Sequence, residues 1–278
     1  MTRHLQFLKM HGLGNDFIVI DGINQRVDWA SVKSVCVDLC RPKFGIGADG
    51  IILISPSDQC DLKMCIVNAD GSTPEMCGNG IRCLVKAAFD EKLVDQACVS
   101  VETDAGRIVC TLDVKDGLVF GIEVDMGIPQ HGFETTKGLL KDGNLIGVKG
   151  NYDACFISMG NPHSIIFQDD WNESLVLQEG PVLENNTLFN DRSNIEFVNI
   201  IDRDHLRVEV WERGSGRTLA CGTGACASVV AGVIQGFCDR LVEVQLPGGR
   251  LQIEWQDSDG HVIMTGPAVT VYRGDLYL

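Results

Sequence analysis

The chain has 278 residues, enough for two domains of ordinary size, and 45% of them are hydrophobic. It carries 38 acidic and 23 basic residues, and this net charge of −15 argues against electrostatic binding of nucleic acid or anionic lipid. No apolar run reaches the roughly 18 residues of a membrane span, and the first residues lack a signal-peptide core. We therefore expect a cytoplasmic protein with neither a nucleic-acid nor a membrane partner.

Strand patterns separated by glycine-rich turns fill most of the first half of the chain. Residues 29–40 have the pattern of a helix that Pro42 helps to end. A G-x-G-x-x-G run at 45–50 leads into β-type residues instead of a helix, so it predicts a turn and not a dinucleotide site. The predicted strands are 7–10, 17–21, 51–54, 62–67, 99–102, 107–114 and 118–126.

Twelve cysteines are spread along the chain without a C-x-x-C pair. Zinc sites and thioredoxin-type motifs need clustered ligands or paired thiols, so this spacing predicts neither. We expect reduced thiols, most of them inert core residues, because the cysteines are scattered among apolar neighbours, as at Cys36, Cys98, Cys110 and Cys155. We also expect no metal and no cofactor, because no ligand cluster and no recognisable Schiff-base lysine motif appears.

One cysteine stands apart from the others, because Cys77 immediately precedes a Gly-x-Gly turn and an apolar segment of helical length at 81–94. Ser72 and Glu75 have the spacing of a capping box, yet glycines disfavour helix, so we predict a regular helix after Gly80 with at most one turn before it. A helix N-terminus binds anions and lowers the pKa of a nearby thiol. Cys77 is therefore a candidate catalytic group.

The first half of the chain recurs after about 144 residues, an offset that brings Cys77 onto Cys221. The second cysteine again precedes a Gly-x-Gly turn and an apolar segment, at 225–238, which should be buried on all sides. We predict an α+β fold of two homologous, pseudo-twofold-related domains, each strand-rich with one central apolar helix. The predicted boundaries are 1–121, with 267–278 returning to it, and 122–266. Further matched points are Gly14-Asn15 with Gly160-Asn161, Gly50 with Asn194, and Asn68 with Glu212.

Two thiols at equivalent helix entrances fit the inversion of a carbon stereocentre. One base removes hydrogen from one face of the carbon and one acid delivers hydrogen to the other, and a thiolate and a thiol can exchange these roles. The carbanion forms beside a carboxylate, where N–H donors and helix dipoles stabilise it. The residues placed to supply those donors are Gly78, Asn79, Gly222 and Thr223.

Several motifs taken together resemble the diaminopimelate epimerases. They are Met10 to Phe17, Asn68 to Ser72, Met76 to Arg82, Gly160 to His163, Glu212 to Gly214 and Ala220 to Gly224. The resemblance spans almost the whole chain and implies a pyridoxal-independent isomerase that interconverts LL- and meso-2,6-diaminopimelate for lysine and peptidoglycan precursor biosynthesis. It also implies a homodimer and, in each domain, a barrel-like sheet around the central helix.

The resemblance also implies residue roles, carried over by matching motif positions. Cys77 and Cys221 would be the two acid/base groups, and Glu212 would meet an ammonium group of the substrate. His163 would tune a thiol or make a structural hydrogen bond. The remaining substrate contacts would come from Asn15, Asn68, Asn161, Asn194 and Arg213, with Gly78, Asn79, Gly222 and Thr223 at the reacting carboxylate.

One position departs from the family pattern, and two other function classes stay open. Many family members carry Gln where this chain has Gly50, so a side-chain contact there is absent or replaced by water. A proline or hydroxyproline racemase-type isomerase would share the architecture, although Glu212-Arg213 favours a substrate with a second charged end. A redox thiol protein would need a resolving cysteine and would have no use for a repeated Gly-x-Gly helix entrance.

Overall fold

The computed structural model describes residues 4–74, 76–170 and 172–277. It divides into unit 1, Met1–Val124 with Gly266–Leu278, and unit 2, Asp125–Thr265. The first elements in chain order are β1 (His4–Gly12), β2 (Asn15–Asp21), α1 (Trp29–Ser34), α2 (Cys36–Cys40), β3 (Gly50–Ser55), β4 (Leu62–Asn68), α3 (Gly78–Asp90), β5 (Cys98–Thr103), β6 (Gly106–Lys115) and β7 (Leu118–Asp125).

The chain then forms unit 2 and returns to unit 1 with its last strand. These elements are β8 (Gln130–His131), β9 (Phe133–Thr135), β10 (Gly138–Leu140), β11 (Asp142–Ile146), β12 (Asn151–Ser158), β13 (Pro162–Phe167), α4 (Glu173–Glu184), β14 (Asn194–Ile200), β15 (His205–Glu212), β16 (Gly216–Arg217), α5 (Gly222–Gln235), β17 (Leu241–Leu246), β18 (Gly249–Trp255), β19 (Val262–Gly266) and β20 (Val269–Tyr277).

In unit 1 a mixed sheet surrounds the helix α3. Antiparallel pairs join β20 to β1, β1 to β2, β3 to β4, β5 to β6 and β6 to β7, while β2 runs parallel to β3 and β4 parallel to β5. Helix α3 contacts β1, β2, β3, β6 and β20, and its apolar residues Ile81, Leu84 and Val85 are fully buried. Burial of this apolar face against the sheet is the main source of stability for the helix.

Unit 2 repeats this order of pairing. Strand β12 pairs antiparallel with β13, β13 runs parallel to β14, β14 pairs antiparallel with β15, and β15 runs parallel to β17. Helix α5 contacts β12, β13, β14, β15 and β18. Its residues 224–232 are buried, whereas 234–237 are exposed, so the prediction that 225–238 is buried on all sides was wrong at its C-terminal end. Among the described residues, no helix combines the length and apolarity needed to cross a membrane.

The predicted turn between the first two strands is shorter than expected. Strand β1 continues to Gly12, which pairs with Asn15, so Leu13 and Gly14 alone form the turn with φ angles of 56° and 85°. Two consecutive positive φ angles define a tight hairpin turn whose twist matches that of its strands. Asn15 is therefore the first residue of β2, at the end of the sheet.

The predicted helices differ from the observed ones at their ends. The prediction of one helix over 29–40 was wrong, since Val35 separates α1 from α2. Helix α3 begins at Gly78, before the predicted start after Gly80, and Glu75 of the predicted capping box lies outside the described residues. Helix α5 begins at Gly222 and ends before Gly236, whose φ of 76° is the left-handed conformation that terminates helices.

Candidate active site

Cys77 is the N-cap residue of α3. Its backbone is extended, with φ −138° and ψ 110°, and its sulfur accepts the backbone N–H of Gly80 at 3.3 Å. This hydrogen bond caps the helix in place of the predicted capping box, which explains why α3 already begins at Gly78. The thiol also donates to Oδ1 of Asn15 at 3.7 Å, so the helix start and the first hairpin meet at the sulfur.

Asn15 is held in place on both sides of its amide. Its Nδ2 donates to Oδ2 of Asp49 at 2.7 Å, and its Oδ1 accepts from Nδ2 of Asn79 at 3.1 Å. Burial raises the pKa of Asp49, and bonds to the backbone of Asp16 and to Asn15 oppose that shift. The sequence prediction missed Asp49, which had been interpreted only as part of a glycine-rich turn.

A buried arginine supports the same corner of unit 1. Arg82 has no exposed surface, and its guanidinium donates to the carbonyl of Gly78 at 3.1 Å and to Oδ1 of Asn79 at 3.0 Å. A third donor, Nε, reaches the carbonyl of Pro267 at 3.2 Å. Arg82 fixes the orientation of the Asn79 amide. In the sequence it was one of two cations, with Lys86, in a largely apolar helix.

Asn68 ends strand β4, directly across from Gly50 in the neighbouring strand β3. Its Nδ2 donates to the hydroxyl of Ser72 at 2.9 Å. A Cβ added at residue 50 would lie 2.7 Å from the carbonyl oxygen of Val67, closer than real Cβ contacts come. The absence of a side chain at Gly50 is therefore a packing requirement of these two strands in this chain.

Cys221 has the same capping role in unit 2. Its backbone has φ −118° and ψ 110°, its sulfur accepts the N–H of Gly224 at 3.4 Å, and it lies 3.5 Å from the hydroxyl of Thr223. Burial raises the pKa of this thiol well above its ordinary value, and the nearby carboxyl groups of Glu212 and Glu196 raise it further. The expectation of a lowered thiol pKa was wrong at Cys221, because desolvation and two acidic neighbours outweigh the helix dipole.

His163 links strand β13 to a buried acid. Its ring and the side chain of Glu196 are fully buried, with Nδ1 lying 2.6 Å from Oε1 of Glu196. Its Nε2 lies 3.0 Å from Oδ1 of Asn161, whose Nδ2 donates to the Thr223 hydroxyl at 3.3 Å. The structure thus joins Asn161, His163 and Thr223, which the sequence nominated, to Glu196, which it did not.

Asn194, Glu212 and Arg213 lie at the ends of β14 and β15. Asn194 donates to the carbonyl of Pro162 at 2.9 Å and accepts the backbone N–H of Arg213 at 2.9 Å. The Arg213 guanidinium contacts Asp191, with Nη1 3.0 Å from Oδ2. Arg213 therefore pairs with Asp191 and not with its chain neighbour Glu212.

Glu212 is oriented by a hydroxyl that the sequence prediction missed. Thr218 donates its hydroxyl proton to Oε1 of Glu212 at 2.5 Å. Burial raises the pKa of Glu212, while the bond from Thr218 and the ring of His163 lower it. The carboxyl group is thus desolvated yet held by a donor, which suits a site that receives a cationic group.

The remaining cysteines are free thiols, and most are buried. Cys98, the first residue of β5, is exposed and is an exception to the expectation that most cysteines lie in the core. Cys155 lies with His131 and Asp142 in a group whose donor atoms are within 4.8 Å of one another. Burial, with a contribution from Asp142, raises the pKa of Cys155 to about 12.

Solved structures with the same architecture define the fold class. A probable proline racemase from Agrobacterium radiobacter matches with a TM-score of 0.74 at 16% identity, over 97% of this chain and 92% of that one. A hydroxyproline epimerase from Agrobacterium vitis matches with a TM-score of 0.75 at 14% identity, over 99% and 93%. The predicted fold class, two strand-rich halves around central helices, is confirmed.

The sequence comparisons narrow this class to one family. The family model described as diaminopimelate epimerase matches residues 7–132 and 155–271. A diaminopimelate epimerase of Moorella thermoacetica is 46% identical over 99% of this chain and 100% of the relative, and one of Methanococcus maripaludis is 43% identical over 98% and 99%. The chain belongs to the diaminopimelate epimerase family, which confirms the resemblance of its motifs.

The packing at Gly50 gives a stability prediction. Gly50→Gln should destabilise the protein by about 1–3 kcal/mol, because the new Cβ forces β3 and β4 apart. Urea unfolding of the variant measures this loss. Gly150→Gln is the matched control, since nothing lies within 4 Å of an added Cβ there, and the control should change stability by less than about 0.5 kcal/mol. Equal stability of the two variants would contradict the close packing at residue 50.

Proposed function

We propose that the protein interconverts LL-2,6-diaminopimelate and meso-2,6-diaminopimelate by proton transfer at one Cα, with Cys77 and Cys221 as the two acid/base groups and without a cofactor. The observation that carries this proposal is the pair of thiols that cap equivalent helices of the two repeats. Membership of the diaminopimelate epimerase family over nearly the whole chain supports the choice of substrate.

The proposed reaction removes one proton from Cα of the substrate and adds one proton to the opposite face of the same carbon. A thiolate takes the Cα hydrogen as a proton, leaving an electron pair on a carbon next to a carboxylate. The opposite thiol then gives its proton to the other face of that carbon and becomes the thiolate. The two sulfurs finish with their protonation states exchanged, so the same pair serves both directions.

The starts of helices α3 and α5 suit the stabilisation of the carbanion. Gly78 and Asn79 begin α3, and Gly222 and Thr223 begin α5, where backbone N–H groups point away from the helix and the dipole is positive. We assign these four residues to the reacting carboxylate, whose charge grows as the proton leaves. Asn15 contacts the sulfur of Cys77, and Asn161 donates to the hydroxyl of Thr223, which in turn lies near the sulfur of Cys221. Both asparagines are assigned to the substrate's polar groups.

The distal end of the substrate carries an ammonium and a carboxylate, and unit 2 offers a group for each charge. Glu212 is a partly buried carboxyl group suited to the ammonium, and Arg213 is a partly exposed cation suited to the carboxylate. Asn68 is the last residue of β4, and Asn194 is the first residue of β14. We assign both to the substrate's remaining polar groups. A proline-type substrate has no second charged end for Glu212 and Arg213 to bind, so this alternative is less well supported.

We also propose that the protein acts as a cytoplasmic homodimer in the formation of lysine and peptidoglycan precursors, as the family resemblance implies. Exposed apolar side chains along β20, including Val271 and Tyr272, offer unit 1 a surface for such pairing.

The two-base mechanism makes an isotopic prediction. With LL-diaminopimelate in D₂O, the first meso product should contain deuterium at the inverted carbon, because the donor thiol has exchanged with solvent. Recovered substrate should remain largely protiated at that stage. Chiral chromatography with mass spectrometry measures both pools, and equal labelling of the two pools, or transfer of the original hydrogen, would indicate a single base. Failure to form any meso isomer would rule out the proposed function.

Serine variants are the control for the two thiols. A serine oxygen can accept the same N–H bonds from Gly80 or Gly224, so Cys77→Ser and Cys221→Ser should keep the capped helices. Serine is a far poorer base near neutral pH, so each variant should lose inversion. A folded variant that inverts at the wild-type rate would return that cysteine to a purely structural role.

A variant of Arg213 tests its proposed contact with the substrate carboxylate. Arg213→Ala should raise KM by roughly ten- to hundredfold, because a charge-assisted bond contributes about 1.5–3 kcal/mol. Steady-state kinetics measures KM, and thermal unfolding checks the fold. Arg203→Ala removes a comparable arginine that pairs with Asp239 and should leave KM unchanged. If both variants kept the wild-type KM, Arg213 would be a surface residue.

Independence from metal and cofactor is a further prediction. Activity should survive dialysis against EDTA, and pyridoxal phosphate should not increase it, because each step of the proposed reaction uses thiols and backbone N–H groups. His131, Asp142 and Cys155 are the described residues closest to a ligand set for a metal ion. Loss of activity with EDTA, restored by a divalent metal, would contradict this prediction.

A further inference from the structure

Three side chains of unit 2 that can ligate a metal ion lie together on neighbouring strands, and the proposed reaction uses none of them. They are His131 of β8, Asp142 of β11 and Cys155 of β12. One donor atom from each lies within 4.8 Å of the other two: a ring nitrogen, a carboxylate oxygen and the sulfur. No other group of three such side chains occurs at this spacing in the part of the chain that the structure describes.

The register of the sheet explains how these residues, widely separated in the sequence, come together. His131 pairs with Ile157, and Asp142 pairs with Cys155. Paired residues of antiparallel strands share a face of the sheet, and residues 155 and 157 share one because they are two apart in β12. All three side chains therefore lie on the same face. Phe156 faces the other side, in the apolar cluster that includes residues of α4.

The distances between the donor atoms suit a tetrahedral zinc ion. Nε2 of His131 lies 3.7 Å from Sγ of Cys155 and 3.8 Å from Oδ1 of Asp142. With a Zn–S bond of about 2.3 Å and Zn–N and Zn–O bonds of about 2.0–2.1 Å, the ligand atoms of a tetrahedral site are roughly 3.4–3.6 Å apart. Side-chain movements of a few tenths of an ångström would bring the three atoms onto one ion.

The types of ligand select the metal. Thiolate and imidazole favour Zn²⁺, whereas Mg²⁺ and Ca²⁺ prefer sets of oxygen ligands. One thiolate and one carboxylate balance the charge of the ion. The side chains of Asp142 and His131 are 56% and 26% exposed, while Cys155 is buried, so an ion can enter beside the carboxylate and reach the sulfur.

The thiol proton of Cys155 is what the metal ion replaces. Burial, then the charge of Asp142 and a hydrogen bond to its carboxylate, raises the pKa of Cys155 to about 12, while a side-chain hydrogen bond from Gln235 opposes the shift. These causes disfavour a free thiolate. A bound divalent cation reverses them, because its own charge is the largest in the site and a coordinating thiol loses its proton. The amide of Gln235, at the end of α5, then donates to a ligating sulfur.

We propose that His131, Asp142 and Cys155 form a Zn²⁺ site in unit 2, with water as the fourth ligand, whose occupancy stabilises the fold without taking part in epimerisation. The hairpin of β9 and β10 lies between His131 and Asp142, so the ion ties both ends of this segment to β12. A ligand that binds the native chain and not the unfolded chain raises stability by mass action. Activity in EDTA is unaffected, since the three residues lie outside the set assigned to the substrate.

Cobalt spectroscopy tests the site in the full chain, kept reduced and stripped of metal. Co²⁺, a coloured substitute for Zn²⁺, should give the intense visible bands of tetrahedral coordination and a near-ultraviolet sulfur-to-metal charge-transfer band. Cys155→Ser should lose the charge-transfer band. The double variant Cys77→Ser with Cys221→Ser should keep it, because the two helix-capping thiols are not the ligands.

A variant of Asp142 tests the carboxylate at an exposed position. Asp142→Asn should weaken Zn²⁺ binding about tenfold or more, measured by competition with a chromophoric chelator, and should reduce the zinc-dependent rise in Tm. Asp202→Asn is the matched control. Asp202 also contacts a histidine, with Oδ1 2.8 Å from Nδ1 of His205, but this pair belongs to no group of three ligands among the described residues. Both values should stay at the wild-type level in the control.

A wild-type chain with neither a tetrahedral Co²⁺ spectrum nor a zinc-dependent rise in Tm would overturn the inference. A charge-transfer band that survived Cys155→Ser and disappeared in the double serine variant would also overturn it, since the metal would then bind at the helix starts. Far-ultraviolet circular dichroism checks the fold of Cys155→Ser. If that variant fails to fold, equal Zn²⁺ affinity of Asp142→Asn and wild type decides against the site.

Discussion

The hydrogen bond from a helix N–H to a cysteine sulfur is the interaction on which the rest of the site depends. In both units the sulfur accepts from the residue three positions further along, Gly80 or Gly224, at 3.3 and 3.4 Å. The bond starts the central helix and at the same time places the sulfur at the positive end of the helix dipole. Because a thiolate accepts a hydrogen bond better than a thiol, ionisation of the cysteine strengthens the cap, and fold and chemistry share one contact.

Duplication explains why two such contacts exist, while the sequence differences between the repeats explain why they are not identical. The strand order and the capped helix recur in both units. The sulfur of Cys77 contacts the amide of Asn15, whereas the sulfur of Cys221 contacts the hydroxyl of Thr223, to which Asn161 donates. The proposed two-base reaction needs this similarity of shape.

The sequence predicted the seven strands β1 to β7 and the repeat that puts Cys77 and Cys221 at equivalent helix starts, because alternation of apolar residues and motif spacing are local signals. It did not predict the break at Val35 or the start of α3 at Gly78, because cysteine is not a usual N-cap residue and the sulfur bond overrides the low helix propensity of glycine. Glu196 was missed for a different reason. A single glutamate within an apolar strand does not show in the sequence which residue it contacts. His163 lies next to Glu196 because β13 and β14 pair in parallel.

The pKa shift of Cys221 depends on residues that are distant in the sequence, so a local motif could not predict its direction. A helix N-terminus alone lowers a thiol pKa, and this effect is the same for Cys77 and Cys221 because their caps have the same geometry. Burial and like charge act more strongly than the dipole and depend on residues distant in the chain, so they decide the outcome at Cys221. The two helix starts therefore share one backbone geometry, while burial and the side chains around Cys221 decide the direction of its pKa shift.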